Sequence, residues 1–125
     1  MPKPEPLPVP GVPTNNDTYS QVVRLGDLVF VSGQLGLDPS TGQPLEGIQA
    51  QTRKALDNVA AALAAAGSGL DRVAKVNIFI TDFSLLGEMN LVYRTYFPHR
   101  PAKTTVEISR LDRGALIEIE AVAGL

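Results

Sequence analysis

A chain of 125 residues has room for one hydrophobic core and not two, and 44% apolar with 19% charged residues is the balance of a folded globular protein. A formal net charge of −2 supplies no cationic field for counterion release, so nucleic acid is not the expected partner. With no cysteine the chain has no disulfide, thiolate metal site or cysteine nucleophile, and with one histidine, His99, it has no multi-histidine metal site.

The N-terminal "MPKPEPLPVPGVP" places proline at positions 2, 4, 6, 8 and 10. It reads as neither a signal peptide nor a membrane span, so a cytoplasmic protein is expected. Alternating proline favours an extended polyproline II arm over residues 1–14, either a surface-draped tail or a recognition ligand, ahead of a single domain over 15–125.

Tyr19 to Arg24 and Leu28 to Ser32 are strand-like runs joined through Gly26-Asp27, the pattern of a β-hairpin. Gly33 and Gly36 interrupt that pattern, and "LDPSTGQP" is a loop. From Ile48 the period changes. Ile48, Thr52, Ala55, Leu56, Val59, Leu63 and Ala66 recur at spacings of three and four, predicting an amphipathic helix of about five turns that stops at Gly67.

"VAKVNIFITD", residues 73–82, is a predicted strand whose Val76, Ile78 and Ile80 face oppositely to Lys75, Asn77, Phe79 and Thr81. A second helix buries Leu85, Leu86, Met89, Val92, Tyr93, Tyr96 and Phe97 and ends at Pro98. "TTVEIS" and "ALIEIEAVA" complete the order β, β, α, β, α, β, β, which predicts an α+β fold with both helices on one sheet face.

Packing the aliphatic parity under the helices leaves a mixed face. By that reading it carries Lys103, Thr105, Glu107 and Ser109, with Lys75, Asn77, Phe79, Glu118 and Glu120 beside Leu116 and Val122. Such a face is either solvated or packed against another subunit, where its charges must pair or bind something.

The blocks "YSQVVRLGDLVFVSGQLGLDPSTGQ", "AQTRKALDNVAAALAAAG", "VAKVNIFITD", "MNLVYRTYF", "PAKTTVEISRL" and "RGALIEIEAVA" resemble, in order and spacing, the Rid (reactive intermediate deaminase) or YjgF family. The resemblance spans residues 19–123. It implies a chorismate-mutase-like fold with a mixed sheet, assembled as a homotrimer with clefts between subunits. It further implies hydrolysis of reactive 2-imino acids, such as 2-iminobutanoate and 2-iminopropanoate, to 2-oxo acids and ammonia, with no metal or organic cofactor.

Position by position, the resemblance places cleft residues at Tyr19, Ser32, Gly33, Asn90, Lys103, Thr105 and Glu118. An imino acid brings a carboxylate that needs a cation and an electrophilic carbon that needs a positioned water. Lys103 is the expected cation and Glu118 the group that holds the water. The family deaminases carry arginine where this chain has Lys103, and often cysteine where it has Thr105. Lysine keeps the charge and loses the two-pronged grip, at a cost of about 1–3 kcal/mol in substrate binding.

The resemblance therefore leaves two functions open. One is a deaminase of reduced or retuned activity. The other is a non-catalytic trimer that binds small 2-oxo or carboxylic acids. Each residue also has a structural alternative: Lys103 as a strand-edge cation, Glu118 as its ion-pair partner or that of Lys75, and Gly33 as a simple bulge.

Overall fold

A computed structural model of the chain describes residues 1–12 and 17–125, so the expected boundary between residues 14 and 15 lies outside the described residues. Its strands are β1 (Glu5–Leu7), β2 (Val22–Leu25), β3 (Leu28–Leu35), β4 (Val73–Ile80), β5 (Ala102–Glu107) and β6 (Ile117–Gly124), with helices α1 (Ile48–Ala65) and α2 (Leu86–Tyr96). They form one six-stranded sheet in the order β1-β2-β3-β6-β4-β5. Only the β4–β5 pair is parallel, so the sheet is mixed as expected.

Gly26, at φ 59°, supplies the left-handed step between Leu25 and Leu28 that closes the β2–β3 hairpin. The final strand, β6, is inserted between β3 and β4 in the middle of the sheet. Its alternation is clean: Ile117, Ile119, Ala121 and Ala123 are buried, and the residues between them are half-buried. Val76, Ile78 and Ile80 of β4 join them beneath the helices, and each fully buried isoleucine contributes about 1.5–3 kcal/mol of burial free energy.

α1 buries Ile48, Thr52, Ala55, Leu56, Val59 and Leu63, the stripe the spacing predicts. Its end is a paired hydrogen-bond motif: Ser68 N–H donates to Leu63 C=O and Gly67 N–H to Ala64 C=O, with Gly67 at φ 82°. The first turn of α1 lies directly on Gly36, where an added Cβ would fall on the Gln51 carbonyl oxygen and 2.5 Å from its Cα. Gln51 itself is buried, donating to Leu45 C=O and accepting from Leu116 N–H, both at 2.8 Å. One glutamine thus ties α1 to a loop and to the entry of β6. No described helix is long and apolar enough to cross a membrane.

Two expectations change. Residues 5–7 of the proline arm form an edge strand rather than a polyproline II extension, pairing Glu5 with Arg24 and Leu7 with Val22. Leu7 packs on the core and Val9 is buried in it, which offsets the cost of ordering the arm.

The second change concerns β5. Its register sets Lys103 beside Val76, Thr105 beside Ile78 and Glu107 beside Ile80, so these three side chains turn to the helix side and not to the face of Glu118. β5 is an edge strand, and α2 offers it a polar flank at Asn90. Apolar parity therefore does not mark its inner side. Ala102, Thr104 and Val106 occupy the helix-free face instead, with Lys75 donating to Thr104 and Asn77 to Glu120. Leu28, Phe30 and Val106 remain exposed, Phe30 and Val106 on this face.

Candidate functional site

The residues predicted for the site form two groups. Glu118 belongs to the first, on the helix-free face of β6, opposite Phe79 and Leu35. The β3–β6 ladder shifts register between Val31 and Gln34, and Gly33 sits in that bulge with the Glu118 carboxyl directly above it. A Cβ at position 33 would lie 2.6 Å from Glu118 Cδ and 2.9 Å from both carboxylate oxygens. Gly33 is therefore more than a bulge: it makes the space the carboxyl occupies.

Ser32 Oγ donates to Ser20 C=O at 2.5 Å and its N–H to Gln21 C=O at 2.9 Å, fixing the approach of the Tyr19 segment. Gln34 Nε2 locks the same corner through Gln21 Oε1 and Ser32 C=O. Tyr19, Gly33 and Glu118 line one open cleft of about 630 Å³, whose walls also bring Lys54 and Arg113. Among the described residues no protein donor reaches the Glu118 carboxyl. Burial, then the neighbouring charges of Glu120 and Asp112, hold its pKa above the ordinary carboxylate value. A carboxyl shifted toward neutrality is suited to giving and taking a proton.

The second group stands on the opposite face. Lys103 Nζ donates to Asn90 Oδ1 at 2.8 Å and lies 4.5 Å from the Tyr93 ring centroid, a contact worth about 0.5–1 kcal/mol when partly exposed. Much of Lys103 is in solvent, yet partial desolvation lowers its pKa below the usual lysine value. Among the described residues Glu118 pairs with neither Lys103 nor Lys75: Lys103 donates to Asn90 and Lys75 to Thr104.

Thr105 stands two residues along the same side of β5, and its buried Oγ1 has no hydrogen-bond partner among the described residues. The Tyr93 hydroxyl is buried and, among the described residues, unpartnered too, and burial pushes its pKa up to about 12. Tyr93 therefore stays an O–H donor through the neutral range. Sequence reading assigned Tyr93 to the core stripe alone. The available signal was its place three residues after Asn90, which puts both on one flank of α2. Nothing in the spacing pointed to Lys54 or Arg113.

A buried orphan hydroxyl is a stability cost. Thr105→Val is expected to leave the folded protein as stable as before, or more stable by about 1 kcal/mol, in urea denaturation. A loss of that size would instead mean that the hydroxyl finds a partner in solution. Among the described residues no cluster of His, Cys, Asp or Glu has the arrangement of a metal site.

Comparison with known proteins identifies the family of the chain. The family model described as Endoribonuclease L-PSP matches residues 12–125. A RutC family protein of Pyrococcus horikoshii is 45% identical over 107 residues, covering 84% of this chain and 85% of the relative. The 2-iminobutanoate/2-iminopropanoate deaminase of Mus musculus is 38% identical over 107 residues, covering 84% and 79% respectively.

Among solved structures, a Rid family protein, YyfA from Yersinia pestis, superposes with a TM-score of 0.91 at 36% identity, covering 98% of this chain and all (100%) of the other. E. coli TdcF with bound serine gives 0.88 at 34% identity, covering 97% and 98%. Family model, matched length and superposition agree: the chain belongs to the L-PSP endoribonuclease family, also called the YjgF or Rid family, and has its chorismate-mutase-like fold.

Proposed function

We propose that the protein is an imine deaminase whose active site is completed between two copies of the chain, and that the copies close into a homotrimer. The observation that carries this reading is the separation of Glu118 and Lys103 on opposite faces of one sheet. An imino acid is a few ångströms long and needs both a cation and a proton-handling group. A contact that sets the Lys103 side of one copy against the Glu118 side of the next supplies both. Because its two surfaces differ, such a contact repeats head to tail and closes a ring. The exposed Phe30 and Val106 give the helix-free face an apolar component suited to burial in that ring. The relatives named as 2-iminobutanoate/2-iminopropanoate deaminases support the reaction class.

In this scheme Lys103 Nζ pairs with the substrate carboxylate. Asn90 already accepts from Lys103 through Oδ1, and its Nδ2 is the donor that gives the carboxylate a second point of attachment. The Glu118 carboxylate takes a proton from water as the water oxygen adds to the carbon of the protonated imine, and the C=N electron pair passes to nitrogen to give a neutral carbinolamine. Glu118 then returns that proton to the amino nitrogen, the C–N bond breaks and ammonia leaves, and the hydroxyl gives its proton back to Glu118 as the C=O of the 2-oxo acid forms. Tyr19 covers the open side of the cleft. Lysine in place of the family's arginine supports a second reading, a carboxylate-binding trimer without turnover, since a point charge orients its ligand less than a fork does.

Complementation tests the proposal. Hydrolysis of 2-iminobutanoate generated by an amino-acid oxidase is followed for wild type, Glu118→Gln, Lys103→Ala, and the two variants refolded together. Each variant alone is expected to be nearly inactive. In a randomly mixed ring about one site in four joins an intact Glu118 to an intact Lys103, so about a quarter of the activity should return. Active wild type with no recovery in the mixture would place the whole site within one chain. Inactive wild type that still binds 2-oxobutanoate would favour the binding protein.

A further inference from the structure

The geometry points to a role for the alternating prolines that is independent of any activity: they make the β1 edge of the sheet unable to accept another strand. β1 is the outermost strand, and among the described residues nothing pairs with its outer side. In an antiparallel ladder, residues alternate between those whose N–H and C=O meet the partner and those whose groups point away. Pro6 is registered with Val23 and has no N–H, so this pair is of the second kind, and the inward bonds are made by Glu5 with Arg24 and Leu7 with Val22.

Pro6 thus stands where its missing donor faces outward. Pro4 and Pro8 flank the strand two residues to either side, at the same phase of an extended chain. Over this stretch the outer edge offers carbonyl oxygens and not one N–H. A strand added there would gain about half of its ladder bonds and leave its own carbonyls facing carbonyls, which is unfavourable.

The other phase of the same segment has the opposite character. Glu5 and Leu7 bond to β2, Leu7 packs on the core, and Val9 is buried. "PEPLPVP" is therefore one two-residue pattern: even positions remove outward donors, and odd positions hold the segment in place. A short ladder of this kind gains its hold from the anchors at 7 and 9, while its prolines keep copies of the chain from joining edge to edge. Assembly is left to other surfaces.

The test restores the donors without touching the anchors. Pro4→Thr/Pro6→Thr/Pro8→Thr and the milder Pro6→Thr are compared with wild type by sedimentation velocity across a wide concentration range, together with amide hydrogen exchange. Wild type is expected to hold one discrete size. The triple variant is expected to associate further as concentration rises, with the new amides at 4, 6 and 8 gaining protection while those of Glu5 and Leu7 keep theirs. Pro6→Thr should show the same trend more weakly. Unchanged sedimentation of both folded variants would overturn the proposal. So would association accompanied by loss of protection at Glu5 and Leu7, because that pattern reports a detached arm rather than an opened edge. Should the triple variant fail to fold, Pro6→Thr decides.

Discussion

Glu118→Gln is expected to leave the fold intact and to slow imine hydrolysis by about 10²- to 10⁴-fold, the usual contribution of a positioned acid–base group. Glutamine keeps the shape that fits over Gly33 and removes only the capacity to take a proton from water. The loss should fall on turnover, with 2-oxo acid binding little changed, because the proposed scheme holds the carboxylate at Lys103. A second readout comes from stability. Burial and the charges of Glu120 and Asp112 raise the pKa of Glu118 in the folded chain, so the folded state binds that proton more tightly than the unfolded state. Its ionisation therefore removes stability as pH rises from the unfolded value near 4.5 through the folded one. Glu118→Gln should accordingly unfold at higher temperature than wild type near neutral pH. The difference should vanish below the ordinary carboxylate pKa, where the wild-type group is protonated in both states. An inactive variant without this pH-dependent gain would indicate damage elsewhere.

Gly36→Ala is expected to have the largest effect on the fold, a loss of about 3 kcal/mol or more in urea denaturation, at the upper end of what overpacking costs. The added methyl would meet the backbone of Gln51, not the end of a side chain. That backbone belongs to the first turn of α1, and the Gln51 side chain is bonded on both sides, to Leu45 and to Leu116. Relief would require α1 to lift from β3 and would break both bonds. Gly33→Ala makes the informative contrast. Its methyl would meet the Glu118 carboxyl, which can swing aside. It should cost less stability than Gly36→Ala and still depress activity, by displacing the group proposed to handle the proton. Equal stability losses for the two would mean that the bulge is as rigid as the helix contact.

Much of the fold is legible because period and parity are strong in the central elements. α1 repeats apolar residues at three and four over its whole length, β6 alternates throughout, and β4 alternates from Val76 to Ile80, beyond a register shift between Val73 and Lys75, so their inner faces follow directly. Edges are harder. β1 hides its alternation behind prolines, which ordinarily argue against a strand, and only the phase of those prolines is consistent with an outermost one. β5 has a single large aliphatic residue, Val106, and it turns away from the helices, so a rule that buries the aliphatic parity selects the wrong side. The same ambiguity concealed the division of the candidate site. Strand parity put Lys103 and Glu118 on one mixed face and the family resemblance put both in one cleft, whereas the parallel register of β5 on β4 sets them on different faces.

The contact between Gly33 and Glu118 also constrains descent. While a long carboxylic acid stays at 118, every change at 33 places a side chain into its oxygens. A change at 118 alone would give up the proposed proton-handling group before position 33 can gain anything from the vacated space. Neither single step is neutral in a lineage that depends on the reaction, so the two sites evolve as one character. A descendant in which a bulkier residue stands at 33 and a shorter one at 118 would be expected to have left this chemistry behind.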